Sequence, residues 1–187
     1  MPTWGWILIA AVVVLAVVAV IVAGSRGKRR RSEGLKERFG PEYERTVAES
    51  GDPIAAEKEL AAREQRREKL DIVPLTAESL GHYVKSWRAV QTAFVDDPTS
   101  AVGEADRLVT RVMSERGYPV DDFDRRAADL SVDHPTVVEN YRAAHGIYLA
   151  GATDTEAQRQ AFVHYRALFD KLLETHEDTD KSQEAHA

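Results

Sequence analysis

Seventeen consecutive residues, Ile7 to Ala23, carry no polar or charged side chain. That run limits the chain more than any other feature. Extended from Trp6 to Ser25 it gives a helix of about 30 Å at roughly 1.5 Å rise per residue, the thickness of a hydrocarbon core. Its valine-rich composition is a poor helix former in water. In lipid the backbone must satisfy its own hydrogen bonds, so helix is the only solution for a single span. A secretory signal has a basic start, a core of about 7–15 apolar residues and small residues before the cut. Here "MPTWGW" has no basic side chain, the apolar run is longer, and a cut after Ala23 would put Ile21 where a small residue belongs. The expectation is an uncleaved anchor over residues 1–25.

Arg26, Lys28, Arg29, Arg30 and Arg31 follow the run, with no acid before Glu33. Lys and Arg beside a span stay on the cytoplasmic side. This collar, residues 26–34, predicts an outward amino terminus, with Trp4 and Trp6 at the outer headgroup level and the remaining chain in the cytoplasm. The lipid bilayer is therefore an expected partner. The whole chain carries a net charge of −6, and the twenty Lys and Arg outside the collar face 31 acids. An acidic body argues against a nucleic-acid partner, because a phosphate groove needs positive charge on the folded surface. Cysteine is absent, which excludes disulfides and thiolate metal sites.

Beyond the collar the apolar residues recur with helical period, and no stretch alternates with period two for long. The fold class expected is all-α. Leu35, Phe39, Tyr43 and Val47 make a narrow stripe interrupted at Gly40-Pro41. Asp52 reads as an N-cap with Pro53 in the first turn, followed by a charged helix to Leu70 with Ile54, Leu60, Ala61 and Leu70 loosely aligned. So poor an apolar face reads as a charged stalk, residues 35–71, between collar and body.

Residues 72–174 read as a bundle of about four principal helices plus a short one. Tyr83, Trp87, Val90 and Phe94 mark the first stripe. Asp97-Pro98 opens the second, which carries Ala101, Val102, Ala105, Leu108, Val109, Val112 and Met113 and stops at Gly117. A short helix presents Phe123, Ala127 and Leu130. The next is expected to begin at Asp133 or His134, with Val138, Tyr141, Ala144, His145, Tyr148 and Leu149 on its face. Thr153 and Glu156 read as a capping box for the last helix, with Phe162, Tyr165, Leu168, Phe169 and Leu172 inward. The tail, residues 175–187, has no large apolar residue and reads as disordered and acidic.

The segments "RFGPEYERTV", "AEKELAAREQRREKLDI", "WRAVQTAFVDDP" and especially "DFDRRAADLSVDHP" resemble an uncharacterised bacterial family of single-pass membrane or "secreted" proteins with a helical soluble domain. The resemblance runs from Phe39 to Leu173. It implies a shared helical body and supplies no catalytic residues, since the family has no assigned activity. A secreted body would oppose the orientation set by the five cations of the collar, and the expectation follows the collar.

For chemistry, the best candidate is "SVDHPTVVENYRAAH". His134 and His145 lie close to three helical turns apart, with Glu139 and Tyr141 between them. With Asp133 these residues form a candidate polar cluster, because two histidines and a carboxylate can hold a metal. The spacing has neither HExxH nor an i, i+4 pair. The commoner outcomes are a core histidine at 145 and a capping role at 134, so no metal, cofactor or catalytic residue is assigned. Arg125, Arg126 and Asp129, beside Asp133 and His134, read as an ion-pair network pinning a loop to the bundle. GxSxG, P-loop and GxGxxG motifs are absent. The expectation is a membrane-anchored protein-interaction or scaffolding module, its partner unidentified. The alternative is a small-ligand or metal-binding protein or enzyme with a polar pocket around His134, Tyr141 and His145.

Overall fold

A computed structural model describes residues 29–151 and 154–174. All regular structure among these residues is helical. The apolar run Ile7–Ala23, Trp4, Trp6, Arg26, Lys28 and the tail 175–187 lie outside them. No helix among the described residues is long and apolar enough to cross a membrane.

The chain divides into two compact units, at Arg38 and Phe39. In the first, the described residues are helical, and Arg29, Arg30 and Arg31 are exposed. Arg29 pairs with Glu33 one turn on, at 3.3 Å. Both side chains are well solvated, so the pair contributes little stability.

Among the described residues the second unit contains seven helices: α1 (Pro41–Ser50), α2 (Pro53–Arg67), α3 (Ala77–Ala93), α4 (Pro98–Glu115), α5 (Phe123–Asp133), α6 (Val138–Leu149) and α7 (Thr155–Glu174). Local chemistry sets most of the starts. The Asp52 carboxylate accepts from the Ile54 and Ala55 amides and Pro53 follows it; Asp97 accepts from Ser100 ahead of α4; Asp122 accepts from Arg125 ahead of α5. Each satisfies amide donors that the first helical turn leaves open. Gly40, at φ 48°, breaks the chain before α1. Gly117, at φ 96°, turns it out of α4 where a Cβ would meet the Asp71 carbonyl at 2.3 Å. Only glycine suits that position, on both conformational and steric grounds.

The core lies between α3, α4, α6 and α7. Trp87 stacks on Phe162 and Phe169, with ring centroids 5.1 and 4.6 Å apart. Around them close Val102, Leu108, Val109, Met113, Leu130, Tyr141, Tyr165 and Leu168. α7 packs against both α4 and α6, and α3 lies on α4. This is the i, i+3, i+4 stripe of each helix turned inward.

Three boundaries differ from those expected. The charged stalk over residues 35–71 is not one: from Phe39 onward that stretch belongs to the same compact unit as the bundle. α1 and α2 fold against each other as a hairpin, and α2 packs along α5. Ala56, Leu60 and Ala61 are buried, whereas Ile54 is 78% exposed. Arg63, Arg66 and Arg67 of this charged helix pair across to other helices. Nor does α6 begin at Asp133 or His134. α5 runs through Asp133, the chain turns at His134, and α6 starts at Val138 with no side-chain cap. Finally, Asp154 caps α7, its carboxylate accepting the Ala157 amide at 2.9 Å. Glu156 pairs with Arg159. Thr153 lies outside the described residues.

Candidate functional site

The five residues of the expected polar cluster are distributed over different surroundings. Asp133, at the end of α5, accepts from Arg67 of α2 and from the Tyr118 hydroxyl. His134 is 5% exposed, and neither ring nitrogen has a hydrogen-bond partner among the described residues. Burial holds its pKa down at about 4, and Arg116, Lys171 and Arg67 add to the shift while Asp133 opposes it. The imidazole is therefore neutral at physiological pH. Glu139 is exposed and reaches Arg45 at 3.8 Å.

Tyr141 and His145 do meet, around Phe123. The His145 ring lies flat on Phe123, centroids 3.7 Å apart at 9°, and Tyr141 tilts against the same ring at 5.0 Å. The Tyr141 hydroxyl is raised to about 12 by burial, with Arg126 opposing. Asp106 of α4 completes this second group: it accepts the Tyr165 hydroxyl at 2.9 Å and lies 3.6 Å from His145 Nδ1. Burial, then Asp106, pushes the Tyr165 phenol far above its ordinary range. Two phenols locked in their protonated forms donate or pack; they do not serve as bases near neutral pH.

His134 and His145 thus belong to different neighbourhoods. His134 faces the carboxy-terminal ends of α4 and α7, through Arg116 and Lys171, while His145 sits two turns into α6 against Asp106 and Phe123. The break between α5 and α6 removes the shared helical face that the spacing implies. Among the described residues no group of three His, Cys, Asp or Glu side chains can hold a metal.

The strongest polar constellation was not foreseen. Glu42 of α1 is fully buried, and its carboxylate accepts from Arg63 at 2.7 Å and from both terminal nitrogens of Arg142, at 2.6 and 2.9 Å. Arg45 approaches it at 3.4 Å. Alongside, Arg66 pairs with Asp129 at 3.5 Å and with Glu59 at 3.5 Å. A forked guanidinium on a carboxylate is among the stronger charged contacts, and a buried one stands only if the desolvated charges are well matched. The sequence hint was weak: Glu42 precedes Tyr43 and lies one turn before Thr46, so it shares the buried face of α1. Nothing local points to Arg142. Arg126, expected among the pinned loop charges, is largely buried and donates to the Val120 carbonyl at 2.9 Å, while Arg125 is exposed.

Two concavities flank these groups. One, of about 370 Å³, is lined mainly by Val102, Ile147, Tyr148 and Leu149, with Thr99 and Gln158 at its polar edge. The other, about 440 Å³ and more open, lies over Glu59, Arg63, Arg66, Asp124 and Arg125. Neither is lined by His134, Tyr141 or His145. No family model, curated protein or solved structure matches the chain.

Proposed function

We propose that the chain is a membrane-anchored helical interaction module, held by residues 1–25 with the body at the inner face of a bacterial membrane. The observation that carries this reading is the charge order of the sequence: a seventeen-residue apolar run, then five cations, then an acidic body. Moving the collar across a bilayer is unfavourable, so the body stays on the collar's side.

An apolar edge of the bundle supports the interaction role. Leu149 is 70% exposed and Tyr148 partly so, both beside the 370 Å³ concavity. Uncovered apolar surface of this kind is where a protein partner docks, and tethering to a membrane raises effective concentration enough for weak contacts to suffice. The bound partner is another protein, and no nucleic acid is involved.

The test is protease added to intact spheroplasts. The body is expected to be spared until the membrane is permeabilised. Digestion of the body alongside external markers, with internal markers intact, would overturn the orientation; release of the whole chain by a salt wash would overturn the anchor.

A further inference from the structure

The apolar core of the bundle runs from Leu75 to Leu172, and among the described residues it takes no side chain from α1 or α2. The hairpin buries Phe39, Tyr43, Ala56, Leu60 and Ala61 apart from that core. On the bundle side Val132 is also buried outside it.

Beside the buried apolar residues, four ion pairs cross the seam. Arg142 holds Glu42, Glu139 meets Arg45, Asp129 meets Arg66 and Asp133 meets Arg67. Each of these four pairs joins a residue of α1 or α2 to one of α5 or α6. The arrangement differs in kind from the Trp87–Phe162–Phe169 stack inside the bundle.

We propose that the α1–α2 hairpin is a releasable strap, which opens from α5 and α6 as ionic strength rises while the bundle stays folded. An ion-pair seam is suited to this. When it opens, each charge regains its hydration, which offsets most of the lost attraction; an apolar seam has no such return. Salt screens the two pairs that are partly exposed on both sides, Glu139–Arg45 and Asp133–Arg67, more than it screens the buried Glu42, and it does not weaken the apolar core. Elements with few apolar contacts to the core open at lower free energy than the whole domain.

The hinge is equally defined. Residues 68–70 form a turn after α2. Immediately beyond, Asp71 is held close to Gly117, the Val73 amide donates to the Arg116 carbonyl at 2.9 Å, and Leu75 is buried in the core. Motion of the hairpin therefore stops at Asp71 and need not disturb the bundle.

Hydrogen–deuterium exchange on the full-length chain tests this. Between low and high sodium chloride, amides of 41–67 are expected to exchange about tenfold faster, while those of 98–115 and 155–174 change less than about twofold. Arg142→Gln is expected to produce the same regional change at low salt, and Arg107→Gln, which removes only an exposed pair with Glu104, is expected to leave both regions unchanged. Unchanged exchange over 41–67 across the salt range, or acceleration of all regions together, overturns the proposal. The salt series on the unaltered chain decides even if Arg142→Gln fails to fold.

Discussion

Arg142 and Glu42 are one hundred residues apart in the chain, yet the guanidinium of one grips the carboxylate of the other through two hydrogen bonds of 2.6 and 2.9 Å. The carboxylate has no solvent-accessible surface. Arg63 takes the same oxygen as the longer of these bonds, at 2.7 Å, so a single acid is shared by two guanidinium groups that are themselves largely buried, and Glu59 supplies Arg63 with a second carboxylate.

Removing that acid leaves both arginines short of a partner. Glu42→Gln is expected to destabilise the domain by about 3 kcal/mol, the typical cost of breaking a buried pair from one side. Glu104→Gln, at an exposed pair, is expected to be nearly silent. Urea unfolding followed by circular dichroism compares them; equal midpoints for the two variants would remove any special role for Glu42.

His134 makes stability depend on pH. Its folded pKa of about 4 lies below the ordinary 6.5, so the unfolded chain binds the proton more readily. The contribution is intact above about pH 6.5 and is lost progressively as pH falls to about 4, reaching about 3 kcal/mol at the difference in pKa. In His134→Leu the slope of stability between pH 7 and pH 5 is expected to flatten. An unchanged slope would show that the imidazole titrates normally.

Two glycines should respond in opposite directions to the same substitution. Gly117→Ala forces a Cβ against the Asp71 carbonyl at a left-handed φ, and is expected to cost 2 kcal/mol or more, about the sum of backbone strain and a displaced contact. Gly146 lies within α6 with open space around its Cα. Gly146→Ala is expected to add about 0.5–1 kcal/mol, the helix-propensity difference. Thermal midpoints moving the same way in both would contradict the geometry.

The two histidines are expected to behave independently. From Val138 to His145 alone the α6 axis advances about 10 Å at roughly 1.5 Å per residue, and His134 precedes that helix. His134→Gln and His145→Gln should therefore add in a double-mutant cycle to within about 0.5 kcal/mol. A larger coupling would restore the shared polar pocket as a serious reading.

Local chemistry was legible without coordinates. Asp52-Pro53 and Asp97-Pro98 start helices because the carboxylate, the proline and the amides they serve lie within four residues. The stripes of α4 and α7 are readable because burial repeats with the helix period. The α5–α6 junction was misread because Asp133 and His134 look like caps; the acid's stronger partners, Arg67 and Tyr118, come from distant parts of the chain. The Asp106 group was missed because that acid sits beside the α4 stripe, where a solvated carboxylate is the ordinary outcome.

By itself the sequence determined that the described chain is helical, where most helices begin and which faces turn inward, since each depends on neighbours within one or two turns. It also set the charge order on which the anchoring proposal rests. Tertiary structure alone decided that the charged segment after Phe39 lies along the bundle and that Glu42 is buried among arginines. It also separated His134 from His145. Charge pairing across a fold depends on which helices become neighbours in space, and no periodicity along the chain encodes that choice.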